Sequence, residues 1–131
     1  MIVVDTHVII WDALKPDMLS ENAKKTIALA NREDGIIFCE ISLWEIAMLI
    51  RKGRIRVDSG YKKFITLLLE SNNYLLYGIT PEIAELSSTL GLGANKDPAD
   101  NIIAATSIIK NAKLVTADND LRQSKNISTI W

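Results

Sequence analysis

The sequence predicts an α/β domain built on a mainly parallel sheet, and three observations carry that expectation. Short apolar runs recur along the chain: IVV at 2–4, IIFC at 36–39, YLLY at 74–77 and LVT at 114–116. Longer amphipathic segments separate them, the pattern of buried strands joined by helical crossovers. No linker, repeat or low-complexity stretch interrupts the 131 residues, so residues 1–131 read as one domain of about the modal size. Helices between strands imply right-handed parallel crossovers, with strands buried on both faces.

The elements follow in order. Strand one is Ile2 to Val4, and after Asp5 a short helical turn covers His7 to Ala13. Lys15-Pro16-Asp17 breaks that turn, and Ser20 offers an N-cap for a helix through about Asn31. Ile36 to Cys39 is a second buried strand. Ser42 is placed to cap the next helix, which runs to about Arg51 and stops at Gly53. A further helix covers Gly60 to Ser71, and Tyr74 to Tyr77 is the third strand. Thr80-Pro81 opens another helix, with proline in the tolerated first position, ending near Leu90. GLGAN at 91–95 reads as a flexible loop, and Asp97-Pro98 starts a long helix through Asn111. Leu114 to Thr116 is a fourth strand and Ile127 to Ile130 a short edge fifth.

Composition narrows the function classes. A hydrophobic fraction of 48% with 24% charged residues is globular rather than disordered. The lone Cys39 has no internal disulfide partner and lies in an apolar run, which favours a reducing, cytoplasmic setting. The start, MIVVDTHVIIWDALK, carries acids within its apolar stretch and no basic leader, and no segment approaches the roughly 20 apolar residues of a membrane span. A net charge of −1 is unusual for a nucleic-acid enzyme, but its distribution matters more than its sum. RKGRIR concentrates Arg51, Lys52, Arg54 and Arg56 at the end of the helix carrying Glu45. Those groups are candidates for nucleic-acid binding; equally, they complement the helix dipole.

Four acids stand at strand ends or helix starts: Asp5, Glu45, Asp100 and Asp118. Each has a structural explanation. Asp5 can begin a turn, and Glu45 can close a capping box with Ser42. Asp97 and Asp100 bracket a helix start, while Asp118 and Asp120 can be loop acids. Jointly they are less ordinary, because strand ends and helix starts share one edge of a parallel sheet. Carboxylates gathered there repel unless a divalent cation holds them, and oxygen ligands with negative charge suit Mg2+ or Mn2+. Such a cluster predicts phosphodiester hydrolysis by metal-activated water, with one ion or two left open. Thr6 and Thr116 can orient ligands or waters, and His7, one helical turn away, can reach a phosphate or remain a surface histidine. A single histidine excludes a histidine-pair ribonuclease mechanism and a His-rich zinc site.

Taken together, DTHVIIW, ISLWEIA, DPAD with IIAAT, and LVTAD, in this order and over nearly the whole chain, resemble the PIN domain. The similarity is to its VapC-like toxin ribonuclease branch. The resemblance implies a three-layer α/β/α sandwich, a homodimer, Mg2+ or Mn2+, endonucleolytic cleavage of RNA, and inhibition by a small antitoxin whose tail blocks the site. It assigns the metal to Asp5, Glu45, Asp100 and Asp118, with Asp97 as an auxiliary. Two positions depart from the pattern. Asn101 follows the third acid where arginine is frequent, and Asn95 precedes KDP where histidine is common. These bear on substrate or antitoxin contacts more than on metal.

Two rivals remain at this point. A non-catalytic RNA- or partner-binding module would keep the fold with a degraded site, against which all four acids argue. An aspartate-based phosphatase would need a second acid two residues after Asp5, and His7 stands there. Trp11, Leu43, Trp44, Ile46, Met48, Leu49 and Trp131 are read mainly as core, with some apolar excess at an interface.

Overall fold

The computed structural model describes residues 1–92 and 97–131, so Asn95 and the rest of the expected loop at 93–95 lie outside the described residues. Five strands form the sheet: β1 (Ile2–Val4), β2 (Ile36–Cys39), β3 (Tyr74–Tyr77), β4 (Lys113–Val115) and β5 (Thr129–Ile130). Their order is β3-β2-β1-β4-β5, and every pairing is parallel. Seven helices are described: α1 (Thr6–Leu14), α2 (Glu21–Arg32), α3 (Glu40–Arg51), α4 (Tyr61–Ser71), α5 (Pro81–Thr89), α6 (Pro98–Ile109) and α7 (Asn119–Gln123).

Alternation along β1 divides the core in two. Ile2 and Val4 join Ile36 and Phe38 in a cluster with Ile9 of α1, Ile27 of α2 and Phe64 of α4. Val3, pointing the other way, joins Ile37, Leu114, and Ile103 and Ala104 of α6. Helices therefore cover both faces, giving the α/β/α sandwich. Since β2 and β4 flank β1 on opposite sides, the strand order reverses between β1 and β4. Ligands of open α/β sheets bind at such a reversal, beyond the strand C-termini.

Local chemistry explains most boundaries. Ser20 Oγ accepts from Ala23 N at 3.0 Å and starts α2, and Thr80 does the same for α5. Gly53, at φ 71°, ends α3: its N–H donates to Ile50 O and the Arg54 N–H to Leu49 O, the paired bonds of a Schellman turn.

Four expectations are corrected. Ser42 does not cap α3, which begins at Glu40 directly after β2 with Cys39 at the cap position; Ser42 is buried inside the first turns. The capping-box role of Glu45 falls with it. Asp118 and Asp120 are not simple loop acids, because they open α7, a helix too short for periodicity to reveal. Finally, β3 is an edge strand whose Leu75 and Leu76 are exposed, so burial on both faces holds for β1, β2 and the Leu114–Val115 part of β4 but fails at β3. No helix among the described residues is long and apolar enough to cross a membrane.

Candidate active site

Asp5 follows β1 and is the N-cap residue of α1, where its N–H donates to Val115 O at 3.1 Å. That bond extends the β1–β4 ladder by one step and leaves the carboxylate buried at the strand reversal. Thr116 Oγ1 donates to Asp5 Oδ2 at 2.8 Å and accepts from the Asp118 N–H at 3.1 Å. Asp118 Oδ1 in turn accepts from the N–H groups of Asp120 and Leu121, capping α7.

Glu45 approaches from α3. Its Oε1 accepts a hydrogen bond from Thr6 Oγ1, which also lies 2.7 Å from Ser42 Oγ. A hydroxyl carries one proton, so with Thr6 donating to Glu45 the Ser42 hydroxyl donates to Thr6. Ser42 thus acts through Thr6 on the carboxylate, a role sequence reading missed. The available signal was its spacing, one turn before Glu45 on the same helical face. From α6 come Asp97, whose Oδ1 caps the helix by accepting from Ala99 N at 3.1 Å, and Asp100 in the first turn.

A cavity of about 350 Å3 brings these groups together, with Asp5, Glu45, Asp97, Asp100 and Asp118 in its lining beside His7, Val8, Trp11 and Ala117. All four acids picked out in the sequence, and the auxiliary, face one space. Thr6 and Thr116 stand behind them as hydrogen-bond donors. The basic cluster divides. Arg54 and Arg56 line an adjoining cleft of about 530 Å3, whereas Arg51 and Lys52 are exposed and line neither space. His7 and Trp11 line both, their ring centroids 5.9 Å apart. Asn101 is half-buried, and its Oδ1 is without a hydrogen-bond partner among the described residues.

Burial and mutual repulsion strain the acids. Glu45 is pushed up to about 7, chiefly by burial and then by the charges of Asp100, Asp5 and Asp97, against the Thr6 hydrogen bond. Asp5 is raised by burial, and by Asp118 to a smaller degree, while the Thr116 hydrogen bond and His7 oppose the shift. An all-oxygen, anionic donor set of this kind fits a hard divalent cation rather than zinc. Among the described residues no three His, Cys, Asp or Glu side chains stand close enough together to hold a metal ion as they are placed, so a cation would have to draw these carboxylates inward.

The family model for the PIN domain matches residues 2–126. The chain belongs to the PIN domain family. It is 32% identical over 132 residues to Ribonuclease VapC22 of Mycobacterium tuberculosis, covering 99% of this chain and 98% of that protein. Among solved structures, the VapBC2 crystal structure from Rickettsia felis bound to a DNA fragment from their promoter matches at TM-score 0.75 and 17% identity, over 98% of this chain and 97% of that one. A toxin-antitoxin complex from Klebsiella pneumoniae matches at TM-score 0.66 and 18% identity, again over 98% and 97%. At these identities the structural matches establish the fold. In this PIN domain the acids occupy the ends of β1 and β4 and the starts of α6 and α7, with Glu45 added from the second turn of α3.

Proposed function

We propose that this PIN domain is a metal-dependent endoribonuclease, the toxin of a toxin–antitoxin pair, that hydrolyses RNA phosphodiester bonds. The observation that carries the reading is the single cavity lined by five carboxylates, in which Glu45 is driven up to about 7. The ribonuclease relative spanning nearly the whole chain supports the substrate class. The toxin–antitoxin complexes sharing the fold support a small protein antitoxin as partner.

Asp5, Glu45, Asp100 and Asp118, with Asp97 as auxiliary, would hold Mg2+ or Mn2+. Such an ion supplies Lewis acidity and a nucleophilic water at neutral pH. The chain's own work is positioning. Thr116 fixes one oxygen of Asp5, and Thr6, backed by Ser42, fixes one oxygen of Glu45. Thus both carboxylates present a set orientation to the cavity. His7 is exposed at the rim, within reach of a phosphate entering the basin. Burial of Asp5 keeps water from competing for its Oδ2–Thr116 bond. A homodimer and a cytoplasmic setting belong to the same reading, the latter resting on the buried, unpaired Cys39.

The test is cleavage of a mixed single-stranded RNA by the purified protein with Mg2+, with Mn2+ and with excess chelator. Internal cleavage restored by either ion, and lost in Asp5→Asn with the fold intact, is expected. Full activity in chelator overturns the metal mechanism. RNA binding without cutting assigns a non-catalytic module, and release of inorganic phosphate from phosphomonoesters an aspartate-based phosphatase.

A further inference from the structure

The cleft beside the acid basin has chemistry of the opposite sign. Its lining includes Lys15, Arg54 and Arg56 together with apolar Ile10, Leu49 and Ile55, and no carboxylate among the described residues. His7 and Trp11 form the wall it shares with the basin. One turn apart on α1, their rings are tilted by 54°, and Trp11 is backed by Trp131 with centroids 5.9 Å apart. The Gly53 turn returns the chain from α3, so that Arg54 and Arg56 border the cleft while Ile55 packs on the core. The ion pair found there among the described residues, Arg56 Nε to Asp58 Oδ1 at 3.8 Å, is almost wholly exposed and weak. Cations beside an aromatic wall are what single-stranded nucleic acid uses: backbone charge on the arginines, a base on the ring.

We propose that this cleft seats the unpaired nucleotide flanking the scissile phosphate, its base against Trp11 and His7 and its outer phosphate at Arg54. The site rests on the ribonuclease reading and deepens it, because it assigns the choice of single strands to a place outside the acid basin. A paired base is locked in its duplex and cannot turn onto Trp11. An acidic peptide would meet the same arginines but gain nothing from an unpaired base, which separates the two occupants.

Binding, rather than cleavage, tests this independently of the reading beneath it. A fluorescein-labelled single-stranded RNA 12-mer and its blunt duplex are titrated by anisotropy in Mg2+ against Asp5→Asn protein, with further changes added. Trp11→Leu, which keeps apolar volume, is expected to weaken single-strand binding about fivefold or more and to leave duplex binding unchanged; Trp11→Phe restores it. Arg54→Gln is expected to weaken the single strand and lower its salt slope by about 0.7, the share of one phosphate contact, whereas Arg51→Gln leaves the slope alone. Equal losses on single strand and duplex, or no loss for Trp11→Leu, overturn the site. Should wild-type protein bind single strands this way yet never cut RNA with Mg2+ or Mn2+, the ribonuclease reading fails and the nucleotide site stands.

Discussion

Thr116 Oγ1 and Asp5 Oδ2, 111 residues apart in sequence, are joined by a 2.8 Å hydrogen bond that links the ends of β4 and β1. The same hydroxyl accepts from the Asp118 N–H, so one side chain orients an acid and the start of α7 together. Thr116→Val keeps the shape and deletes both bonds. Unfolding experiments are expected to show a loss of about 1–3 kcal/mol, the range for stranding buried polar partners. Cleavage should fall by more than ~10-fold as Asp5 loses its fixed orientation, and Thr116→Ser should recover most of both.

Stability of the metal-free protein should decline as pH rises through the window from about 4.5 to about 7. Glu45 has its folded-state value raised, so between those limits the native protein binds more protons than the unfolded chain. Where the native state holds more protons, unfolding free energy falls with rising pH. Asp5, also raised, adds with the same sign. The Glu45 share stays below ~1.4 kcal/mol per pH unit across that window, because solvent reaching its half-buried carboxylate screens part of the effect. Thermal melts across pH 4.5 to 8 in chelator check this: Glu45→Gln should flatten the decline, and Mg2+ should oppose it. A melting temperature that climbs with pH in wild type would count against strain at Glu45.

Most of the sheet could be read from the sequence because its strands are apolar runs bounded by turn residues. The helix starts at Ser20, Thr80 and Asp97 were legible because each is a cap whose side chain bonds the backbone as expected. Ser42 shows the limit. It has the residue type and spacing of a cap, yet β2 passes into α3 without a loop, leaving its hydroxyl inside to bond Thr6. Local pattern cannot report such a bond, since Thr6 is 36 residues away. Convergence of Asp5, Asp100 and Asp118 was legible from topology, as strand ends and helix starts share an edge, whereas Glu45 reaches the cavity from the second turn of α3 and not from a helix start. The split of the basic run was not, because the Gly53 turn decides which arginines face the cleft. Of the apolar residues read mainly as core, Ile46 is fully buried and Leu43, Leu49, Trp11 and Trp131 pack against the core cluster it belongs to, whereas Trp44 is 56% exposed.

That exposed ring directs the search for the dimer. Trp44 on α3 and Leu76 on the open edge of β3, 44% exposed, leave apolar surface that a second copy can cover. Light scattering at micromolar concentration is expected to give a dimer mass, and Trp44→Ser or Leu76→Ser to shift it toward monomer. Monomer mass for wild-type protein removes the homodimer from the reading and leaves the nuclease untouched.

Ser42→Ala removes the donor behind Thr6 without adding bulk. Thr6 then has its hydroxyl free to rotate away from Glu45, so Glu45 loses the one bond that holds its value down. The acid limb of the pH–cleavage profile is expected to move upward by a fraction of a unit, with KM for RNA unchanged. A structural role alone would lower the melting temperature and leave that limb in place.

The acids of α6 and α7 separate ligands from caps by the sign of their effect on the metal-free protein. Two carboxylates ~5 Å apart repel by up to ~3 kcal/mol at an effective dielectric of ~20, before screening. Asp100 is the largest charge acting on Glu45, so Asp100→Asn should raise the metal-free melting temperature and shrink the added stability conferred by Mg2+. Asp97 holds the Ala99 N–H at the start of α6, and Asp97→Ala should cost ~1 kcal/mol. Asp118 does both jobs, bonding two N–H groups of α7 while facing the basin. Its two substitutions should therefore diverge: Asn keeps a capping oxygen and removes charge, giving a neutral or raised melting temperature, whereas Ala loses the cap and lowers it. Both should reduce the Mg2+ increment. Thermal melts with and without Mg2+ decide the matter, and an Asp100→Asn protein that melts lower with its Mg2+ increment intact would make Asp100 a helix-start acid and remove it from the site.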